Sequence, residues 1–126
     1  MAEAAAALGT QPGQIAKTLL LKSPIGFSLL VAAGDTRFNT KKAKSELGQK
    51  FSFADAEEVL EQTGFAPGGV CPFGLKTDLP IYLDTSLKRY EVIYPAAGTP
   101  NSAVAIAIAD LETITLGKWF DLCSLP

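Results

Sequence analysis

The chain has 126 residues, 48% hydrophobic and 19% charged, the balance of a single globular domain with one core rather than a disordered chain. It contains no histidine, which removes Ser-His-Asp and Cys-His catalysis and any histidine-ligated metal, and its two distant cysteines, Cys71 and Cys123, make neither a disulfide framework nor a zinc site. A net charge of −2 argues against general nucleic-acid binding, yet residues 1 to 50 carry seven Lys/Arg against three Asp/Glu, enough for a local basic face of Lys17, Arg37, Lys41, Lys42, Lys44 and Lys50.

Residues 2 to 8 are alanine-rich and favour a helix that stops at Gly9. Gln11-Pro12-Gly13 breaks the chain. Residues 15 to 22 read as a buried strand, Ser23-Pro24-Ile25-Gly26 as a turn and Phe27 to Ala33 as the returning strand of a hairpin, with a further turn at Gly34-Asp35. Thr40 is the expected N-cap of a helix through Leu47, closed by Gly48. Ser52 with Asp55 suggests the cap of a second helix, from about Ala54 to Gln62.

A Gly/Pro loop follows from Phe65 to Gly74. Leu79 to Leu83 then reads as a strand, where Pro80 implies an edge or a strand start. Tyr90 to Tyr94 and Ala103 to Ala109 are the next expected strands, the latter packed on both faces. Asp110 would cap a short helix through Ile114, and Lys118 to Leu122 would close the sheet. The expected fold is a mixed α/β domain: a curved, largely antiparallel sheet with short flanking helices, in one unit over residues 1 to 126. No apolar run is long enough for a membrane span, and Met1-Ala2-Glu3-Ala4 lacks a basic n-region, so a cytoplasmic chain with free thiols is expected.

Two segments carry chemistry. In Gly68-Gly69-Val70-Cys71-Pro72-Phe73-Gly74 the glycines permit positive φ and close approach, and the proline stiffens the exit, so the loop can aim backbone amides at a carbonyl oxygen. In Gly13-Gln14-Ile15-Ala16-Lys17-Thr18-Leu19-Leu20, Lys17 enters an apolar run and can hold a phosphate. Taken alone, such a lysine is an ordinary strand lysine, and such a loop is a tight connection.

Together with Asn39-Thr40-Lys41-Lys42, Thr63-Gly64-Phe65, Leu79-Pro80-Ile81-Tyr82-Leu83-Asp84 and Ala96-Ala97-Gly98-Thr99-Pro100, in that order, these segments resemble the YbaK-type aminoacyl-tRNA deacylases, relatives of the editing domain inserted in bacterial prolyl-tRNA synthetase. The resemblance implies the YbaK/ProRS-associated domain fold. Family members carry a further helix and strand before the segment that begins here at Ala2. It also implies hydrolysis of the ester of a mischarged tRNA, with tRNA for proline carrying a small non-cognate amino acid as substrate.

Lys17, Gly68 and Gly69 would be the catalytic residues on this resemblance, while Thr18, Val70, Cys71, Pro72, Gly98 and Thr99 would bind the substrate. Lys41, Lys42 and Lys44 would contact tRNA. No cofactor, metal, membrane or DNA is expected, and prolyl-tRNA synthetase is the implied protein partner. Ala96-Ala97 departs from the cysteine-selective form, so no particular amino acid is implied. Two other readings stay open: a noncatalytic aminoacyl-nucleotide or tRNA-binding module, and a synthetase-associated domain.

Overall fold

A computed structural model describes residues 12–73, 75, 78–96 and 103–126. Its centre is the expected hairpin. Strands β1 (Ala16–Ser23) and β2 (Gly26–Ala33) pair antiparallel in unbroken register from Ala16↔Ala33 to Ser23↔Gly26. Gly26 accepts φ 127°, a value open to a residue without Cβ, and so lets a two-residue turn close the ladder. Parity then assigns the faces. Ala16 and Leu20 pack with Leu29, Val31 and Ala33 on one side, while Leu21 packs with Leu30 and Ala32 on the other. Both sides of β2 are buried, so a one-residue slip would carry every apolar side chain to the wrong face.

After β3 (Arg37–Phe38) the first helix, α1 (Thr40–Leu47), packs Ala43 and Leu47 on the Leu21 side. Its cap is Asn39, one residue earlier than expected. The Asn39 Oδ1 accepts from the amides of Lys41 and Lys42 at 3.1 Å each, and Asn is a stronger cap than Thr. Gly48 ends the helix at φ 74°, as read from sequence. Ser52 does not cap the second helix; with Phe53 it forms strand β4 (Ser52–Phe53) against Leu21 and Lys22. Helix α2 (Ala56–Thr63) starts instead from a reciprocal box. The Glu58 amide donates to Asp55 Oδ1 at 2.8 Å, and the Asp55 amide donates to Glu58 Oε1 at 3.0 Å. Val59 on α2 packs against Leu20 and Leu29, on the face opposite α1.

Strand β5 (Ile81–Asp84) begins one residue after Pro80, whose carbonyl accepts from the Leu29 amide at 2.8 Å. Pro80 therefore marks a strand start, not an edge: β5 lies inside the sheet, parallel to both β2 and β8 (Lys118–Phe120). The main sheet runs β4-β1-β2-β5-β8. Four of the six described strand pairs are antiparallel, as the expected architecture requires.

Two expected strands shrink and one helix grows. Tyr90–Tyr94 yields only β6 (Val92–Ile93), after a 3₁₀ turn at Thr85–Arg89. The run Ala103–Ala109 yields only β7 (Ile106–Ala107), because Ala103 and Ala105 are exposed and bury too little to hold a strand. Helix α3 (Ile108–Thr115) then begins before Asp110, which sits in the first turn and favours the helix dipole without capping. The chain closes with β9 (Cys123–Ser124) against β3. The helix expected over residues 2 to 8 lies outside the described residues.

Candidate functional site at the open edge of strand β1

The outer edge of β1 is only partly paired by the described residues. β4 takes up Leu21 and Lys22, the Ala54 amide donates to the Leu20 carbonyl at 3.1 Å, and the Ala16 amide donates to the Tyr94 carbonyl at 3.2 Å. In an antiparallel ladder, alternate residues turn both backbone groups to the same side. Ala16 and Leu20 turn theirs outward, so Thr18 between them does too, and its outward amide and carbonyl have no backbone partner among the described residues. The Thr18 hydroxyl is buried as well and has no hydrogen-bond partner. A buried polar group without a partner is costly, and a ligand that pairs it recovers that cost.

The Gly/Pro turn runs along the same face. Thr63 at the end of α2 fixes its entry: the Oγ1 donates to the Val59 carbonyl at 2.7 Å and accepts from the Phe65 amide at 3.1 Å. Gly68 holds φ 84°, a left-handed conformation that a side chain would strain. Val70 packs with Leu20, Leu29 and Val59, and Phe73 packs against the neighbouring cluster that holds Ala16, Val31 and Ala33. Cys71 and Pro72, both buried, link the Val70 cluster to the Phe73 cluster on this face of the sheet.

The Gly69 amide is already engaged, donating to the Ala66 carbonyl at 3.0 Å. That removes it from the donors expected for a ligand. The amides of Gly68, Val70 and Cys71 have no acceptor among the described residues. Burial pushes the Cys71 thiol above its usual range, so the group stays protonated and is a poor nucleophile.

Lys17 leaves β1 on the other face. Its ammonium donates to the Thr36 carbonyl, and the Thr36 hydroxyl donates to the Ala33 carbonyl at 2.7 Å. Strand parity starts Lys17 on the face opposite Leu20 and Val70, so one cavity where the ammonium and the Gly68–Pro72 turn converge stays a proposal that would need the long side chain to round the strand edge. Lys17 and Leu20 are three apart, and an odd spacing on a strand means opposite faces, a signal already present in the sequence.

Around Lys17 the structure gathers groups the sequence did not connect. Arg89 grips Asp35 with both terminal nitrogens, at 2.6 Å (Nη2–Oδ1) and 3.2 Å (Nη1–Oδ2), and its Nε donates to the Ser86 carbonyl at 2.9 Å. The Arg89 hydrogen bond holds the Asp35 carboxyl below its usual range, with a smaller contribution from Lys17. The partners are 54 positions apart, so no local pattern announces the pair.

Asp84 is fully buried and saturated by three amides: its Oδ1 accepts from Leu122 at 2.7 Å and Cys123 at 3.0 Å, and its Oδ2 accepts from Ser86 at 3.0 Å. It pins the C-terminal segment to the end of β5. Burial, then the Asp84 charge, pushes the Cys123 thiol up to about 12.

Of the lysines expected to touch RNA, Lys41 and Lys44 are exposed on α1 and form no ion pair with a described residue. Lys42 is engaged, donating to Asp121 Oδ1 at 3.0 Å and to the Cys123 carbonyl at 2.9 Å. Gly98 and Thr99 lie outside the described residues. Among the described residues no three His, Cys, Asp or Glu side chains form a metal-binding group, and no helix is long and apolar enough to cross a membrane.

Residues 1–114 match the aminoacyl-tRNA editing domain family, and the chain belongs to it. The chain is 42% identical over 123 residues to the uncharacterized protein YwhH of Bacillus subtilis, covering 96% of this chain and 78% of that one. It is 40% identical over 126 residues to a proline–tRNA ligase of Bacillus licheniformis, covering 91% of this chain but only 22% of the ligase. Among solved structures, a candidate trans-editing enzyme for prolyl-tRNA synthetase superposes with a TM-score of 0.93 at 38% identity, over 98% of this chain and 78% of that one. That superposition fixes the mixed α/β fold as the fold of this family.

Proposed function

We propose that the chain is an aminoacyl-tRNA deacylase acting in trans, hydrolysing the ester between a small non-cognate amino acid and the terminal adenosine of a tRNA, with tRNA for proline as the first candidate. The observation that carries this reading is the family match over residues 1–114, a stretch that contains both the Lys17-Thr18 segment and the Gly68–Pro72 turn. The buried, unpartnered Thr18 hydroxyl supports it, because it leaves β1 on the face where Val70 of the turn packs.

In this reading water attacks the ester carbonyl, and the resulting oxyanion is held by the free amides of the turn, those of Val70 and Cys71. The bond to the ribose oxygen then breaks. That oxygen takes up a proton from the attacking water, directly or through the neighbouring ribose hydroxyl, so no protein base is assigned. Gly68 contributes its conformation, and Gly69 the turn that aims the donors. Thr18 binds the amino-acid part or the ribose at the strand edge. Lys17, held on the far face, anchors a terminal phosphate once its ammonium leaves the Thr36 carbonyl. The protein would act in the cytoplasm, with prolyl-tRNA synthetase supplying its substrate.

The test is release of free amino acid from tRNA charged with alanine, cysteine or serine. The wild type is expected to release at least one of them well above the spontaneous rate. Lys17→Ala is expected to lose about tenfold or more in kcat/KM if the ammonium positions the substrate. A wild type that leaves all three esters intact refutes the enzyme reading and favours a noncatalytic binding module. Full activity in Lys17→Ala refutes only the assignment of Lys17.

A further inference from the structure

A cleft of about 460 Å³ opens at the hairpin tip, at the opposite end of β1 from Thr18. Its lining includes the rings of Phe27 and Phe51 and the polar side chains of Lys22, Lys50 and Ser52. Phe51 is buried in the α1-side core, whereas Phe27 is partly buried against the α2-side cluster, so part of one aromatic ring is open to a ligand. Lys22 reaches Glu58 at 3.1 Å, and that pair remains partly in solvent. Lys50 is exposed and forms no ion pair with a described residue. Two residues before Lys50, Gly48 ends α1, on which Lys41 and Lys44 stand three apart on one face. Cationic groups therefore continue from the cleft along the helix.

We propose that this cleft is a second RNA-contact site, which seats the phosphodiester backbone of the tRNA acceptor arm on Lys50 and Lys22 and one base on Phe27. A cation beside a partly open ring is the combination that single-stranded RNA recognition uses: charge tracks the backbone, and a ring receives a base whatever its sequence. The span also fits. Thr18 and Lys22 are four residues apart on an extended strand, about 14 Å. A strand stacked in helical form advances about 3.4 Å of axis per nucleotide, so the cleft lies about four stacked nucleotides from an ester bound at the outer edge of β1. The site rests on the aminoacyl-tRNA reading above and adds where the body of that substrate is held.

The experiment measures binding of labelled, uncharged tRNA to the wild type, Lys50→Ala, Lys50→Glu and Phe27→Ala across a series of salt concentrations. In parallel it measures hydrolysis of a short aminoacyl-oligonucleotide ending before the proposed contact. Lys50→Ala is expected to weaken tRNA binding about eightfold at 0.1 M salt and to lower the salt slope by about one. Lys50→Glu weakens binding further, and Phe27→Ala weakens it about fivefold or more. Turnover of the short substrate stays at the wild-type level in the Lys50 variants.

Wild-type affinity and slope in both Lys50 variants would overturn the proposal, even where the protein hydrolyses mischarged tRNA. Binding that depends on Lys50, in a protein that hydrolyses no mischarged tRNA, would support the cleft while removing the enzymatic reading.

Discussion

Thr18, Lys17 and Asp35 show how position on a strand decides what a side chain can do. Thr18 turns its backbone groups to the outer edge of β1 and buries an unpartnered hydroxyl on the Leu20 face, whereas Lys17, its neighbour, leaves the strand on the other face and reaches the Thr36 carbonyl. There Asp35 and Arg89 form a forked ion pair whose side chains are only partly exposed, 24% and 33%, so solvent screens it less than an open surface pair. Arg89 lowers the Asp35 pKa in the folded state. The carboxylate therefore stabilises the fold above its unfolded value of about 3.9, and this contribution is lost as the pH falls through the lower, folded value. Asp35→Asn is expected to lower the urea midpoint by a constant amount between pH 5 and 8. The difference from wild type should narrow below pH 4; a difference that is flat down to pH 2 would show that the pair contributes through shape rather than charge.

Short elements here are held by their ends. α2 has eight residues, too few for a stable isolated helix, and it depends on the Asp55–Glu58 box and on Val59 packing against Val70. Asp55→Ala is expected to cost about 1 kcal/mol in urea unfolding, within the usual 0.5–2 kcal/mol for loss of such a cap. An unchanged midpoint would mean that tertiary contacts alone hold the helix and, with it, the turn. At this scale the sequence was most readable where local chemistry decides. The hairpin follows from two apolar runs and a Pro-containing turn, and the two helix ends follow from Gly48 and Gly64, both left-handed.

It was least readable where distant partners decide. The parallel pairing of β5 with β2 and β8 leaves no local trace, and neither does the β3–β9 pair. In Ala103–Ala109 the alternation was real, but alanine buries too little to extend a strand, and the helix took over from Ile108.

Across the whole molecule, the sheet divides the work. One face carries α1 and its exposed lysines; the other carries α2, α3 and the Gly/Pro turn, and the outer edge of β1, partly paired by the described residues, joins them. The candidate residues were legible as a set because the family pattern spans the chain. Their grouping was not, because it depends on strand parity and on which stretch of edge stays free. The central claim is that this edge receives the ester, and Thr18→Val tests it most directly. The swap keeps the shape and removes a buried hydroxyl that has no partner in the free protein. The account predicts unchanged or higher thermal stability, with kcat/KM on mischarged tRNA reduced about threefold to tenfold. Wild-type kcat/KM in a folded Thr18→Val protein would contradict it.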